Sequence, residues 1–491
     1  MTILNQFDKQ CAFESRIFIT IAAFFLILAL YIGISLKYIP AGQLNADEGI
    51  YCLTAQKTME GQLPYRDFAY PQMPVLPYMN GLAMKIVGFG YLEQRAVNAF
   101  WGLITIAVVF CLVFSTAGRY AALVATWLTA TSIYWVHFVC MGKTYAATGL
   151  FLILAALGIA APWLYYRKVL LFTLAGVFAV GTRLSAAPVV FVLWVFLILQ
   201  ADNLKKRIIA AVLPILAGIA LVLPFLIADP ENFIFWNLKY HLGSTIHRRG
   251  LLSIKEYLWL APGTLLIIAT ALAALAIKIR QLKLWQLAIF ISAIIGIVVQ
   301  LSLKASYGEY STPYMPLATV GATVIVSKFS WFKKLCPIIF VLPLLAYLGP
   351  KPLFDNYMPD ALLNTAKFLR ANTSAADKVL TSLPITAVQA QRKVFEGIEL
   401  GKFALTSEMP EDKALRLHII TPRILVEMVE TKKPAAVVIN SFKSPWNFHW
   451  SIPSFNPADK QQIKLFFQTL NRNYHVAFKE HPFAVFLPNH P

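Results

Sequence analysis

Charge is what this chain has least of. Asp, Glu, Lys and Arg make up only 14% of its 491 residues, where ordinary soluble domains carry about a quarter. That deficit excludes a wholly water-solvated globule and makes lipid the solvent for much of the chain. Cysteine is sparse too. Cys11, Cys52, Cys111, Cys140 and Cys336 fall mostly in or beside apolar segments, with none after residue 350, so a disulfide framework and metal-type Cys spacing are both excluded. The chain also lacks a glycine-rich phosphate loop, an internal repeat and low-complexity tracts, so neither ATP nor a sugar nucleotide is indicated by motif.

What the chain does have is apolar sequence: 58% of it is hydrophobic, with mean hydropathy +0.63. A spanning helix needs about 20 apolar residues, and candidate spans run at 17–36, 95–118, 120–140, 145–164, 169–182, 184–200, 208–228, 257–277, 284–303, 310–327 and 335–349. The first is longer than a signal-peptide core and follows a mixed-charge N-terminus, so it reads as a retained anchor. The net charge of +19 does not point to nucleic acid. Residues 1–349 hold 26 Lys and Arg against 12 Asp and Glu, while 350–491 hold 17 against 12. Most of the excess lies between hydrophobic segments, where it orients helices and attracts lipid head groups. Arg119, Arg167 with Lys168, Lys205 to Arg207, Lys278 to Lys283 and Lys328 to Lys334 fall in every second connection. That alternation predicts a cytoplasmic N-terminus, provided 169–200 is two helices meeting near Arg183.

The expected fold is a polytopic α-helical membrane protein of about eleven transmembrane helices, residues 1–349, with a small extracytoplasmic α/β domain at 350–491. Two outer loops are too long for mere connectors, 37–94 and 229–256. In the first, Asn45 or Asp47 can cap a helix running to about Met59, and Gly61 to Pro64 ends it. The apolar stretch 74–87, split by Pro77 and Asn80, reads as a helix lying in the interface rather than a span. In the tail, 359–370 and 422–430 read as helices, and 378–382, 435–440, 474–478 and 483–487 as strands.

Chemistry-bearing residues gather on the outer side. Asp47 and Glu48 stand about ten residues after the first span, where a carboxylate can take a proton from an acceptor hydroxyl; an acidic pair opening a helix also complements its dipole. On the same side the spans bring Arg95, Lys143 and Arg183, with His247, Arg248 and Arg249 in the second loop. Arg95 equally suits a helix-end pair with Glu93, and Lys143 a side chain snorkelling to the interface. Cations converging near a carboxylate suit a lipid carrying a phosphate, since guanidinium binds phosphate bidentately and Lys as a point charge. Arg95, Lys143, Arg183 and Arg248 are therefore the expected lipid-phosphate ligands. Tyr145, Glu309 and Tyr310 are the expected substrate contacts, although interfacial aromatic belts account for most aromatics here. No metal-ligand spacing is present, and no cofactor is called for; a divalent metal stays open.

The run NADEGIYCLTAQKTMEGQLPYRDF, the Pro-rich PQMPVLPYMNGLAMKIVG after it, Arg95 opening the next span, and the later EYSTPYMP and QRKVFEGIELGKFALTSEM together resemble membrane glycosyltransferases of the GT-C superfold. Within it, the chain is similar to a family 39-like bacterial branch related to protein O-mannosyltransferases and aminoarabinose transferases. The resemblance implies that Asp47 is the catalytic base, that the donor is a polyprenyl-phosphate sugar, and that transfer inverts the anomeric centre. It also implies the bacterial inner membrane and a glycolipid, polysaccharide or protein acceptor. Two departures stand out. Many relatives carry a second acidic residue where this chain reads Met141-Gly142-Lys143-Thr144-Tyr145, which puts a metal-assisted or two-carboxylate mechanism in doubt. Aminoarabinose transferases carry Glu-Lys before a Pro where Gln72-Met73-Pro74 stands, which puts that donor in doubt. A transporter or flippase for an anionic lipid is the rival expectation; it would predict inverted repeats and mid-membrane charges.

Overall fold

The computed structural model describes residues 2–41, 44–242, 261–302, 307–348, 358–406, 409–440 and 457–489. The chain begins with a long helix α1 (Thr2–Ala41), followed by α2 (Ala46–Met59) and α3 (Val75–Val87). The expected start and stop of α2 are both present. Asn45 caps it, accepting from the Asp47 N–H while Glu48 accepts from the Asn45 N–H, and Gly61 at φ +90° turns the chain away, a conformation glycine adopts without strain. The bundle continues through α4 (Tyr91–Ala117), α5 (Arg119–Thr131), α6 (Ile133–Cys140), α7 (Tyr145–Ala160), α8 (Tyr165–Thr182), α9 (Ala187–Leu199) and α10 (Leu204–Ala228). Short helices α11 (Pro230–Ile234) and α12 (Tyr240–Leu242) follow, then α13 (Pro262–Lys278), α14 (Leu284–Ser302), a 3-10 segment Gly308–Tyr314, α15 (Met315–Val326) and α16 (Phe332–Leu345).

Two breaks differ in how they arise. Residues 169–200 do divide into two helices, at Arg183, whose backbone is extended. The expected single span 120–140 is instead bent by 57° between α5 and α6, where Ser132 leaves helical geometry and its hydroxyl accepts from the Trp135 N–H. Among the described residues, four helices are long and apolar enough to cross a membrane: Ser15–Ala41 of α1, α4, α10 and α14; the bent pair makes a fifth. The expected count of about eleven is not reached on that criterion; α7, α9 and α13 are apolar but shorter. Phe18, Leu26, Leu204 and Ile227 lie open on the long helices, the arrangement of a bundle solvated by lipid. The chain is an integral membrane protein.

The C-terminal part builds one mixed sheet from β1 (Lys378–Thr381), β2 (Lys393–Val394), β3 (Ala436–Asn440), β4 (Tyr474–Glu480) and β5 (Phe483–Pro488). The spatial order is β2-β1-β3-β5-β4, with β2-β1-β3 parallel and the other pairs antiparallel. Helices α17 (Met358–Asn372), α18 (Pro384–Gln389), α19 (Glu411–Arg416), α20 (Pro422–Glu430) and α21 (Pro457–Asn473) surround it. Every residue of β3 is buried, as expected of a central strand covered on both faces.

This sheet does not hang free. A single apolar cluster runs from Ile50, Leu53 and Tyr70 through Leu383 and Leu400 to Val437. Polar ties cross the same seam: Lys57 pairs with the buried Glu399 at 3.0 Å, the Tyr91 N–H donates to the Gln389 side chain at 2.8 Å, and Asn232 donates to the carbonyls of both Tyr65 and Arg416. The two parts also approach closely at Gly49. A Cβ there would lie 2.5 Å from the backbone nitrogen of Ile385, so α18 rests directly on the helix that carries Asp47.

Candidate active site

The first turn of α2 sends its two carboxylates into different surroundings. Glu48 is fully buried, and Arg95, in the first turns of α4, is 1% exposed. The two form a bidentate pair, Nε to Oε1 and Nη2 to Oε2, both at 2.7 Å. Each Glu48 oxygen accepts a second bond, Oε1 from the Gly142 N–H at 3.0 Å and Oε2 from the Asn45 N–H at 2.9 Å. Arg95 spends its remaining nitrogen on the carbonyls of Tyr38 and Ile39 and lies over the Tyr91 ring. Its partner is thus Glu48, not the neighbouring Glu93. A fork-to-fork pair with its remaining donors and acceptors filled is the arrangement that makes burying two charges tolerable.

That pair also fixes the segment after α6. Gly142 donates to Glu48 and its carbonyl accepts from Gln94 at 2.8 Å; a Cβ at this position would run into the Gln94 side chain. A side chain here would displace the Gln94 amide, and the segment leads to Lys143, which reaches across to Asp47. The Lys143 ammonium is buried and bridges two carboxylates, Asp47 Oδ2 at 2.9 Å and Glu309 Oε1 at 3.2 Å. Burial works against that charge, but Asp47, with Glu309, outweighs it and holds the amine well above its ordinary pKa. Asp47 itself keeps 34% of its side chain exposed and Glu309 keeps 17%. This triad is therefore open to an incoming molecule where the Glu48–Arg95 pair is sealed.

Arg183 stands beside it. Placed by the break between α8 and α9, it donates to Ser185 Oγ at 2.9 Å and Thr144 Oγ1 at 3.0 Å. Its guanidinium lies over the rings of Tyr310 at 4.8 Å and Tyr145 at 5.3 Å. Both rings face a cation, consistent with the attraction of a π-face for positive charge. The structure thus gathers Asp47, Lys143, Arg183, Tyr145, Glu309 and Tyr310, and it sets Glu48 and Arg95 behind them. Arg248 lies outside the described residues, as do His247, Arg249 and a stretch of the second loop. Among the described residues, no group of three or more His, Cys, Asp or Glu side chains could hold a metal.

Three further groups feel the charge of Asp47; sequence reasoning left Tyr51 and Lys402 unassigned and weighed Tyr240 only among the aromatics of an interfacial belt or a sugar-stacking face. Burial and then the Asp47 charge raise the phenols of Tyr51 and Tyr240, and Lys402, from the C-terminal part, also feels Asp47 and Lys143. Tyr51, one turn beyond Asp47 on α2, was within reach of helical spacing; the other two arrive through tertiary packing alone.

No protein-family model matches the chain, and a search of curated proteins finds no match. Solved structures do match. ArnT from Cupriavidus metallidurans bound to undecaprenyl phosphate superposes with a TM-score of 0.66 at 11% identity, covering 93% of this chain and 97% of that one. The apo oligosaccharyltransferase of Archaeoglobus fulgidus gives a TM-score of 0.53 at 11% identity over 86% and 69% of the two chains. Arabinofuranosyltransferase AftD from Mycobacteria gives 0.53 at 13% identity over 94% of this chain and 40% of its own. Over most of its length the chain shares the fold of these proteins, the GT-C fold.

Proposed function

We propose that the protein is a membrane glycosyltransferase that moves a sugar from a polyprenyl-phosphate donor to an acceptor hydroxyl at the extracytoplasmic face. One observation carries the reading: a partly exposed carboxylate, Asp47, is held by a buried ammonium beside a buried guanidinium, in a fold shared with a protein that binds undecaprenyl phosphate. In this scheme the donor phosphate competes with Asp47 for Lys143. As Lys143 turns to the phosphate, Asp47 loses its counter-ion and becomes the better base, so donor binding primes the acceptor side.

The acceptor hydroxyl then gives its proton to Asp47 while its oxygen attacks the anomeric carbon. The bond from that carbon to the phosphate oxygen breaks, and the phosphate keeps the electron pair, its growing charge held by Lys143 and Arg183. Attack opposite the leaving group inverts the centre. Tyr145 and Tyr310 offer rings to the sugar, and Glu309 a hydrogen-bond acceptor for its hydroxyls. Glu48 and Arg95 act through position, holding the backbone of Gly142 and so the aim of Lys143. Residues 1–349 form the catalytic membrane part and 350–491 the outer domain; α7, α8, α9, α13, α15 and α16 join the five spans to make about eleven crossings, with the N-terminus cytoplasmic.

The test is to supply purified protein with a panel of polyprenyl-phosphate sugars and candidate acceptors, then measure released polyprenyl phosphate. Turnover that depends on Asp47 supports the proposal. Tight donor binding with no release, combined with movement of the lipid between leaflets, would overturn it in favour of a flippase.

A further inference from the structure

The 3-10 segment Gly308–Tyr314 meets the two site cations through its first turn. Glu309 pairs with Lys143 at 3.2 Å, and the Tyr310 ring lies under the Arg183 guanidinium at 4.8 Å. Tyr314, at the far end, is fully buried and has no part in the scheme above. A buried phenol needs partners for its hydroxyl, and this one has three contacts. It donates to the Ser185 carbonyl at 3.0 Å. With its one proton spent there, its oxygen accepts from the Gln300 amide and from the Ser185 hydroxyl, both at the longer distance of 3.4 Å. The ring is seated as well. A Cβ on Gly296 of α14 would lie 2.6 Å from Tyr314 Cδ1 and 2.8 Å from Val189 Cγ2 of α9, so the ring fits where α14 carries no side chain.

Ser185 is the link from this phenol to the site. It belongs to the 3-10 turn Leu184–Ala186 that follows the break at Arg183, and its Oγ accepts from Arg183 Nε at 2.9 Å. A serine hydroxyl has one proton and two lone pairs. The proton directed at Tyr314 leaves a lone pair for the guanidinium. Thr144 Oγ1 accepts from Nη1 at 3.0 Å. Among the described residues these two are the hydrogen bonds of the Arg183 side chain, and Nη2 is uncommitted. The guanidinium is planar and rigid, so two fixed nitrogens also fix the direction of the third.

We infer that Tyr314 is a positioning residue for the lipid phosphate: by holding both the carbonyl and the hydroxyl of Ser185, it sets the orientation in which Arg183 offers its free N–H groups to a phosphate oxygen. The inference rests on the proposed donor and on Arg183 as its ligand. It deepens that reading by joining the two ends of one short segment, whose first turn touches the cations and whose last residue aims one of them. A phenylalanine would fill the same space, yet it would free the Ser185 hydroxyl to rotate and take a donor from the Ser185 carbonyl.

Full-length wild type, Tyr314→Phe, Ser185→Ala, Arg183→Ala and the double variant Tyr314→Phe/Arg183→Ala would be titrated with radiolabelled undecaprenyl phosphate in detergent, with the uncharged polyprenol as control. Tyr314→Phe is expected to weaken phosphate binding about fivefold, the scale of one hydrogen bond, and to leave polyprenol binding unchanged. Ser185→Ala keeps the phenol and its bond to the carbonyl and removes only the hydroxyl between them and Arg183, so the same loss is expected there. The double variant should bind the phosphate no more weakly than Arg183→Ala, because a residue that acts through the guanidinium has nothing to orient once it is gone. A Tyr314→Phe or Ser185→Ala protein with wild-type affinity for the phosphate overturns this inference and leaves the donor reading intact. So does a double variant in which the two losses multiply, or a Tyr314→Phe protein that loses polyprenol binding equally, since either marks a general structural role. Wild type that binds polyprenol as well as the phosphate overturns both.

Discussion

Asp47 and Glu48 are neighbours on α2, about 100° apart around the helix, and their surroundings are opposite. Glu48 has no exposure, a bidentate partner, and two further donors on its oxygens. Asp47 is one-third exposed, and its single ammonium is shared with Glu309. A filled pair has nothing left to offer a substrate, whereas a shared counter-ion can be traded for one. The acidic doublet thus divides: the inward carboxylate is committed to the Arg95 pair, and the outward one stays open to an incoming molecule, as the proposed role of a base requires.

The comparison can be broken by substitution. Asp47→Asn is expected to cost about 10²–10⁴-fold in turnover, the range for a general base, with the unfolding temperature in detergent changed by no more than about 2 °C. Glu48→Ala should do the reverse. It leaves Arg95 buried and unpaired, a loss of roughly 3–5 kcal/mol, read as a lower unfolding temperature and poor recovery of folded protein. Gly49→Ala presses a methyl group on the Ile385 backbone; about 1–3 kcal/mol of overpacking should show as faster proteolysis between the membrane part and the terminal sheet. Arg183→Lys loses the fork to Ser185 and Thr144 and the contact with two rings. A donor KM raised roughly tenfold, about 1.4 kcal/mol, with little change in stability, is the smallest effect expected.

Much of this was legible where the signal is local. Both ends of α2 were marked, the start by Asn45 or Asp47 and the end by Gly61 to Pro64, because caps and turns are written in adjacent residues. Arg183 marked the break between α8 and α9 through the alternation of basic connections. Strands β1, β3, β4 and β5 were recognisable as short runs rich in β-branched and apolar residues, while two-residue β2 had too little pattern to detect. The α5–α6 bend at Ser132 was hidden, since it has neither Pro nor Gly and its cap is a lone serine hydroxyl. The partner of Arg95 was equally hidden: Glu48 is 47 positions away, and no spacing rule links the two.

The most direct measurement is to determine, on the same preparations, both the unfolding temperature and the rate of polyprenyl-phosphate release for wild type, Asp47→Asn and Glu48→Gln. The account predicts a folded but inactive Asp47→Asn, and a destabilised Glu48→Gln whose remaining folded molecules still turn over. An Asp47→Asn protein that releases polyprenyl phosphate at the wild-type rate, or a Glu48→Gln protein that is fully stable yet inactive, would contradict it.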